Sequence, residues 1–186
     1  MMEKTFIPTA LLKEKAAAYG IELDEAALGR FDLYARLLVE CNEKINLTAI
    51  TDPEGITIKH FLDSLTIFTA HNIGTGAKII DVGTGAGFPG IVMLIARPDL
   101  DITLLDSTNK RLNVIRDILE KLELNANVVH SRAEDAGNSP EFREQYDFST
   151  ARAVSNLRDL SEYCLPFVRV GGCFISMKGA KAEEEI

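Results

Sequence analysis

Lys78-Ile-Ile-Asp-Val-Gly-Thr-Gly-Ala-Gly-Phe-Pro-Gly90 is the stretch whose reading decides the fold. Ile79, Ile80, Asp81 and Val82 read as a short buried strand. Gly83, Gly85 and Gly87 follow at alternate positions, and Phe88-Pro-Gly90 opens an apolar helical run from Ile91 to Ala96. A glycine-rich turn between a strand and a helix lets a ligand approach the backbone, because no Cβ stands in the way. The amides at the helix start offer donors to a polar ligand. The stretch predicts a nucleotide-cofactor turn and leaves the cofactor to be decided.

Downstream of this turn, strands alternate with helices. Ile102 to Leu105 reads as a second strand ending at Asp106, and Asn127 to His130 as a third. Asp147 to Ala151 is a fourth, and Gly171-Gly-Cys-Phe-Ile-Ser-Met177 a fifth, entered through a Gly-Gly turn. Between them, Asn109 to Glu123 carries Leu112, Ile115, Leu119 and Leu122 on one side, and a further helix runs from about Asn156 to Phe167. Strands separated by such helices imply a doubly wound, mostly parallel α/β sheet with right-handed crossovers.

Upstream the pattern is all helical. A short helix from Pro8 to Tyr19 is closed by Gly20. A longer one starts at Asp24, a good N-cap, and steps through Ala27, Phe31, Tyr34, Leu38, Cys41 and Ile45 on one face. Asp52-Pro53-Glu54 caps a third helix, with proline at its first position. Its expected core face is Ile58, Phe61, Leu62, Leu65 and Phe68, leaving Lys59, His60 and Asp63 mostly off that face. His60 and Asp63 are three apart and can touch, either as a surface polar pair or as a substrate-facing patch. The expected division is a helical N-terminal extension over 1–74 and a Rossmann-like domain over 75–186. The run Ala180-Lys-Ala-Glu-Glu-Glu-Ile186 reads as the first turns of another helix, so C-terminal strands are expected beyond it.

The bulk numbers narrow the class. A chain of 186 residues supports one sizeable core. No apolar run reaches the roughly 18 residues of a membrane span, and Met1 to Ala10 is not a signal peptide. Three cysteines, Cys41, Cys164 and Cys173, lie in no metal-ligand spacing and read as reduced thiols of a cytoplasmic protein. Asn46-Leu-Thr48 matches a glycosylation sequon, but nothing points to secretion. A net charge of -8 argues against a broad, nonspecific nucleic-acid binder and leaves room for a local basic patch.

Cofactor choice rests on the residues in and around the glycine turn. Gly85-Ala-Gly87-Phe-Pro-Gly90 can be read as a phosphate-binding fingerprint, so a nicotinamide cofactor must be weighed. Asp81 stands where the strand meets the turn; it repels a pyrophosphate but not a sulfonium or an amino group. The glycine at the strand end is Gly83, which has no glycine five residues on. Ser131-Arg-Ala-Glu-Asp135 follows the third strand directly; it is either a solvated loop or the element that sets Ala133 and Glu134 beside an adenine. Asp106, nineteen residues after Gly87, is placed to bind ribose hydroxyls with both oxygens. Together these favour S-adenosylmethionine. Arg152 ends the fourth strand and faces the ligand crevice, where a guanidinium can stack on a base or hold a phosphate. The alternative for it is a surface ion pair. Lys59, His60, Lys110, Arg111 and Lys178 could make a local basic patch that the net charge does not show.

At these residues the chain resembles the GidB (RsmG) family, bacterial methyltransferases of small-subunit ribosomal RNA. The pieces are Asp81 to Gly90, Asn46-Leu-Thr48, Lys59-His-Phe-Leu-Asp-Ser-Leu65, Leu105-Asp-Ser107 with Lys110-Arg111, Ser131-Arg-Ala-Glu134, Ala151-Arg-Ala153 and Met177-Lys-Gly179, in the family's order. The resemblance implies a class I methyltransferase fold, S-adenosylmethionine as methyl donor, and N7 of a guanine in 16S rRNA as acceptor, free or in the small ribosomal subunit. It also implies that Gly83 and Phe88 line the methionine end of the cofactor, that Asp106, Ser107 and Thr108 lie by its ribose, and that Ala133 and Glu134 contact the adenine. The rival readings are an NAD-dependent oxidoreductase and a non-catalytic RNA- or ribosome-assembly-binding protein.

The expected chemistry needs no metal and no general base, since guanine N7 carries a free lone pair. The Asn/Asp-Pro-Pro-aromatic tetrapeptide of exocyclic-amine methyltransferases is absent after the fourth strand, where Ala151-Arg-Ala-Val154 stands. Nothing in the sequence demands more than a monomer.

Overall fold

The computed structural model describes residues 5–152 and 156–177. Three helical segments come first: α1 (Thr9–Ala18), α2 (Glu25–Asn42), and α3, which starts at Pro53–Gly55 and ends at Ile67–Ala70. Then β1 (Lys78–Val82), α4 (Gly90–Ala96), β2 (Asp101–Asp106), α5 (Asn109–Lys121), β3 (Asn127–His130) and α6 (Ala133–Asn138) follow. β4 (Tyr146–Arg152), α7 (Leu157–Cys164), a 3₁₀ turn at Leu165–Phe167 and β5 (Val168–Met177) complete the described chain.

The strands lie in the order β3-β2-β1-β4-β5, every neighbouring pair parallel. From β1 the chain winds out through β2 to β3, then returns to the other side of β1 to form β4 and β5. Helices α4 and α5 pack on one face together with α1, α2 and α3, while α6 and α7 cover the other. Both faces are therefore buried, and Ile79, Ile80, Val82, Leu104 and Leu105 are at most 2 % exposed. Each such side chain stabilises the fold by about 1.5–3 kcal/mol.

Caps stand at Asp24 and Asp52, where the sequence places them, and at Asn156, where the expected helix begins. Asp24 accepts from the Ala27 amide at 2.7 Å, Asp52 from Gly55 at 2.6 Å, and Asn156 from Asp159 at 3.0 Å. The helical segments share one core with the sheet. Phe31, Tyr34 and Phe61 form an aromatic cluster against Phe88, and the Tyr34 hydroxyl donates to the Ala86 carbonyl at 2.6 Å. Arg30 Nε donates to the Leu122 carbonyl at 3.1 Å.

Three local readings change. The expected inward face of α3 holds at Phe61, Leu62, Leu65 and, half-buried, Phe68, but shifts at Ile58, where Ile56–Leu62 is a π-helical stretch. Its i→i+5 bonding adds a residue to the turn and rotates the side chains of that stretch. Ile58 is turned out, 44 % exposed, while Thr57 and His60 turn in, 0 % and 8 % exposed. Second, the polar break after β3 is no loop: Ala133 begins α6. Third, β5 starts at Val168, ahead of the glycine pair, and Gly171-Gly172 lies inside it at a register shift against Tyr146 and Phe148. The expected helix over 180–186, Lys178 and Gly179, and Ala153 with Val154 lie outside the described residues.

Candidate functional site

The turn after β1 is built by two acids. Asp81 is 0 % exposed; its Oδ2 accepts from Thr84 Oγ1 at 2.7 Å and from the Gly90 amide at 3.0 Å. Asp106, at the end of β2, accepts from the Gly85 amide at 3.0 Å through Oδ2 and from the Thr108 amide at 2.8 Å through Oδ1. The Gly83 and Thr84 amides both donate to the Leu105 carbonyl, at 2.8 and 3.0 Å. The glycine turn is thus laced to the end of β2, which fixes its path without side chains of its own. Burial pushes the Asp81 carboxyl up from 3.8 to about 6, against the pull of Thr84 and Gly90.

Beside the turn, at the carboxyl ends of β1, β2 and β3, opens a cleft of about 170 Å³. Its walls are Val82 and Gly83 from the turn, Leu105, Asp106 and Ser107 from β2, Ser131, Arg132, Ala133 and Glu134 from the β3–α6 connection, and Tyr163 from α7. It lies outside the carboxyl ends of the strands, where ligands bind in an open α/β sheet. A larger hollow, about 620 Å³, lies between the start of the chain and α2 at Thr9, Glu25 and Arg36, away from the glycine turn.

A second group of residues meets at the end of β4. In the parallel register Asp81 is level with Thr150, so two residues on Gly83 and Arg152 leave adjacent strands together. Arg152 Nη1 donates to the Lys59 carbonyl at 3.3 Å and to Asp63 Oδ2 at 3.2 Å; Nη2 stands 3.4 Å from His60 Nδ1. Its guanidinium carbon lies 4.6 Å from the Phe88 ring centre. His60 stacks on that same ring, centroids 4.5 Å apart. Burial, with the neighbouring Arg152 charge second, pulls the imidazole down to about 4.

The cleft therefore gathers Gly83, Asp106, Ser107, Ala133 and Glu134 of the residues singled out in the sequence. Others have different partners. Asp81 braces the turn from inside the core and leaves only Oδ1 without a protein partner. A Cβ at Gly87 would come within 2.5 Å of Ile91 Cδ1 and 2.7 Å of Tyr34 Oη, so this glycine is required by helix packing. Phe88, 5 % exposed, is the floor under Arg152 and His60. Thr108 is the N-cap position of α5. His60 is buried and offers RNA no surface, and it meets Asp63 through Arg152, as neither a surface pair nor a free patch. Lys59, Lys110 and Arg111 are exposed, and Arg111 lies 4.0 Å from Asp106. Sequence reading missed Tyr163, Arg132 and Thr48; the last pairs with His60 at 2.8 Å.

The turn and the cleft beside it leave room and free acceptors of the kind a ribose would use. Gly85 has φ +58°, and a Cβ there meets only the Gly83 carbonyl, 3.9 Å away, so the turn is open on that side. Each Asp106 oxygen accepts one amide and keeps a lone pair for a ribose hydroxyl.

Residues 28–186 match the family model described as rRNA small subunit methyltransferase G. The chain is 49 % identical over 185 residues to the ribosomal RNA small subunit methyltransferase G of Acetivibrio thermocellus, covering 99 % of this chain and 76 % of the relative. It is 48 % identical over 177 residues to the protein of that name from Clostridium perfringens, covering 95 % and 74 %. Among solved structures, a putative S-adenosyl-L-methionine-dependent methyltransferase from Methanococcus maripaludis shares the fold with a TM-score of 0.51 at 15 % identity, over 95 % of this chain and 65 % of that one. A putative methyltransferase from Bacillus halodurans does so with a TM-score of 0.52 at 18 % identity, over 61 % and 49 %. The sheet is that of a Rossmann-like class I methyltransferase, and the chain belongs to the rRNA small subunit methyltransferase G (GidB) family.

Proposed function

We propose that this chain binds S-adenosylmethionine in the cleft beside the glycine turn and transfers its methyl group to N7 of a guanine in 16S rRNA. The observation that carries the reading is the convergence of Gly83, Asp106, Ala133 and Glu134 on one cleft, with Arg152 leaving the neighbouring strand at the level of Gly83. Family membership supports this cofactor over the nicotinamide alternative. The work divides along the chain: residues 75–186 hold the cofactor, and the helical extension over 1–74 walls the acceptor side through Lys59 and Asp63, with His60 buried behind Arg152.

Asp106 accepts hydrogen bonds from the ribose hydroxyls, and its grip on the Gly85 amide keeps the turn in place while it does so. Backbone groups of Ala133 and Glu134 at the start of α6 read the adenine edge, with Tyr163 closing that side. When bound, S-adenosylmethionine supplies a methyl group made electrophilic by its sulfonium. Guanine N7 has a lone pair and no proton, so the protein's task is alignment. Proximity and orientation contribute up to about 7–11 kcal/mol in favourable cases. Arg152 holds the base or its phosphate at the mouth of the cleft. Exposed Lys59, Lys110 and Arg111 supply positive charge on a chain whose net charge is -8. The substrate, 16S rRNA or the small subunit, places the enzyme in the cytoplasm.

The test is incubation of the full chain with methyl-labelled S-adenosylmethionine and small ribosomal subunits or 16S rRNA, followed by nucleoside digestion. Label in N7-methylguanosine is the expected result. Label on an exocyclic amine or ribose refutes the acceptor. Cofactor binding without any transfer favours the non-catalytic reading.

A further inference from the structure

Two sequence pieces that the cofactor cleft does not use, Asn46-Leu-Thr48 and Lys59 to Leu65, meet behind Arg152. Thr48 Oγ1 is 2.8 Å from His60 Nε2, and Arg152 Nη2 is 3.4 Å from His60 Nδ1. We propose that Thr48 and His60 are positioning residues: the hydrogen-bonded chain Thr48–His60–Arg152 sets the plane of the guanidinium that meets the RNA guanine. This rests on the proposed role of Arg152 in methyl transfer.

Donor chemistry sets the direction we assign to the chain. A guanidinium only donates, so we place the His60 Nδ1 lone pair toward Arg152; an Nδ1–H turned to the Lys59 carbonyl, with Thr48 donating to Nε2, is the competing tautomer. In the neutral ring the proton then sits on Nε2 and is donated to Thr48 Oγ1. Thr48 is itself pinned, its amide donating to Asn42 Oδ1 at 2.9 Å and its hydroxyl oxygen accepting from the Ile50 amide at 3.0 Å. The anchor thus runs back to the end of α2. A protonated His60 would turn an N–H against Arg152 and break the chain.

The charged groups around the ring oppose that protonation on balance. Arg152 opposes it from β4, while Asp63 and the Lys59 carbonyl, on its own helix, favour it less strongly, and the loop Asn46 to Thr51 brings no charge. Burial and Arg152 hold the imidazole near 4, below its ordinary range. The π-helical stretch is what brings His60 here; such stretches are frequent at functional sites.

Phe88 completes the seat. His60 and Arg152 stand 4.5 and 4.6 Å from its ring centre. On opposite faces they would be about twice that far apart, too far for their 3.4 Å contact, so they lie side by side over one face. Arg152 is thereby held from below by Phe88 and along one edge by Lys59, Asp63 and His60. Among the described residues no group accepts from its Nε–H, which leaves the side edge of the fork for a base oxygen or a phosphate.

Two readouts test this. The first needs no activity: nitrogen-15 histidine NMR of the full chain, with His60 assigned among the three histidines by its loss in His60→Phe. The expected result is a neutral Nε2–H tautomer at pH 7 that persists to about pH 5, and whose Nε2 signal moves in Thr48→Val. A charged ring or an Nδ1–H tautomer at pH 7 overturns the proposal. The second is single-turnover methyl transfer to small subunits, with S-adenosylmethionine affinity measured alongside. Thr48→Val is expected to slow transfer about tenfold at unchanged cofactor affinity, and Thr48→Ser to restore it to within about twofold. In an Arg152→Lys background Thr48→Val should change nothing further. An equal loss in both backgrounds, or no loss in the wild type, overturns the proposal. No transfer by the wild type, or full transfer by Arg152→Lys, overturns instead the role given to Arg152 under the proposed function, while the NMR result still decides the hydrogen-bonded chain.

Discussion

Gly85 and Gly87 look alike in the sequence and do different work in the structure, and replacing each by alanine separates the two. Both have positive φ, +58° and +99°. Alanine in such a conformation costs about 1–2 kcal/mol at either position. At Gly85 little is added, because the new Cβ meets nothing nearer than 3.9 Å. At Gly87 it meets Ile91 Cδ1 at 2.5 Å, Tyr34 Oη at 2.7 Å and Ile91 Cγ1 at 2.9 Å. Tyr34 cannot retreat without releasing the Ala86 carbonyl, so overpacking adds about 1–3 kcal/mol. Gly87→Ala should therefore lose about 2–5 kcal/mol and Gly85→Ala about 1–2 kcal/mol. Urea unfolding reads this as a fall in midpoint at constant m. Calorimetric titration with S-adenosylmethionine should show the reverse order, Gly85→Ala losing more affinity, since its methyl faces the open side of the turn. Equal unfolding midpoints for the two variants would refute the division of labour.

Three further outcomes are expected. Asp106→Asn should weaken S-adenosylmethionine binding by about 10- to 100-fold, as a charged acceptor of ribose hydroxyls is lost; isothermal titration checks it, and unchanged affinity would move the ribose elsewhere. Arg152→Ala should slow methyl transfer by about 100-fold, on the scale of a misplaced substrate, while shifting the unfolding midpoint far less than Gly87→Ala; wild-type turnover would remove it from the mechanism. Asp81, raised from 3.8 to about 6, binds its proton more tightly folded than unfolded. It therefore favours the fold below about pH 4, and that contribution, at most about 3 kcal/mol, is lost as pH rises through about 6. The stability of wild type relative to Asp81→Asn should fall between pH 4 and pH 7, and a flat difference would contradict the burial of this carboxyl.

Much of the fold is legible in the sequence for a physical reason. Strands β1 to β4 are local apolar runs closed by turn residues, and each is found within one or two residues of its expected bounds. The helix caps Asp24, Asp52 and Asn156 act through neighbours three residues away, which a sequence displays directly. Asp106 and Ser107 line the cleft because they stand at the end of a strand, where open α/β sheets place their crevices. The readings that fail depend on contacts distant in the chain or on irregular backbone. Asp81 looks like a ligand contact until Thr84 and Gly90 are seen to enclose it. Gly87 looks like part of a phosphate turn until Tyr34, fifty-three residues earlier, is seen against it. His60 reads as a surface residue because 3.6-residue periodicity does not reveal a π-helical stretch. Tyr163 reaches the cleft only through the packing of α7.

A crystal of the full chain grown with S-adenosylmethionine tests the central claim most directly. The account predicts its ribose on Asp106, its adenine against Ala133 and Glu134, and its sulfonium end turned toward Gly83 and Arg152. Density for the ligand at another cleft, or on Asp106 by groups other than the ribose hydroxyls, would contradict it.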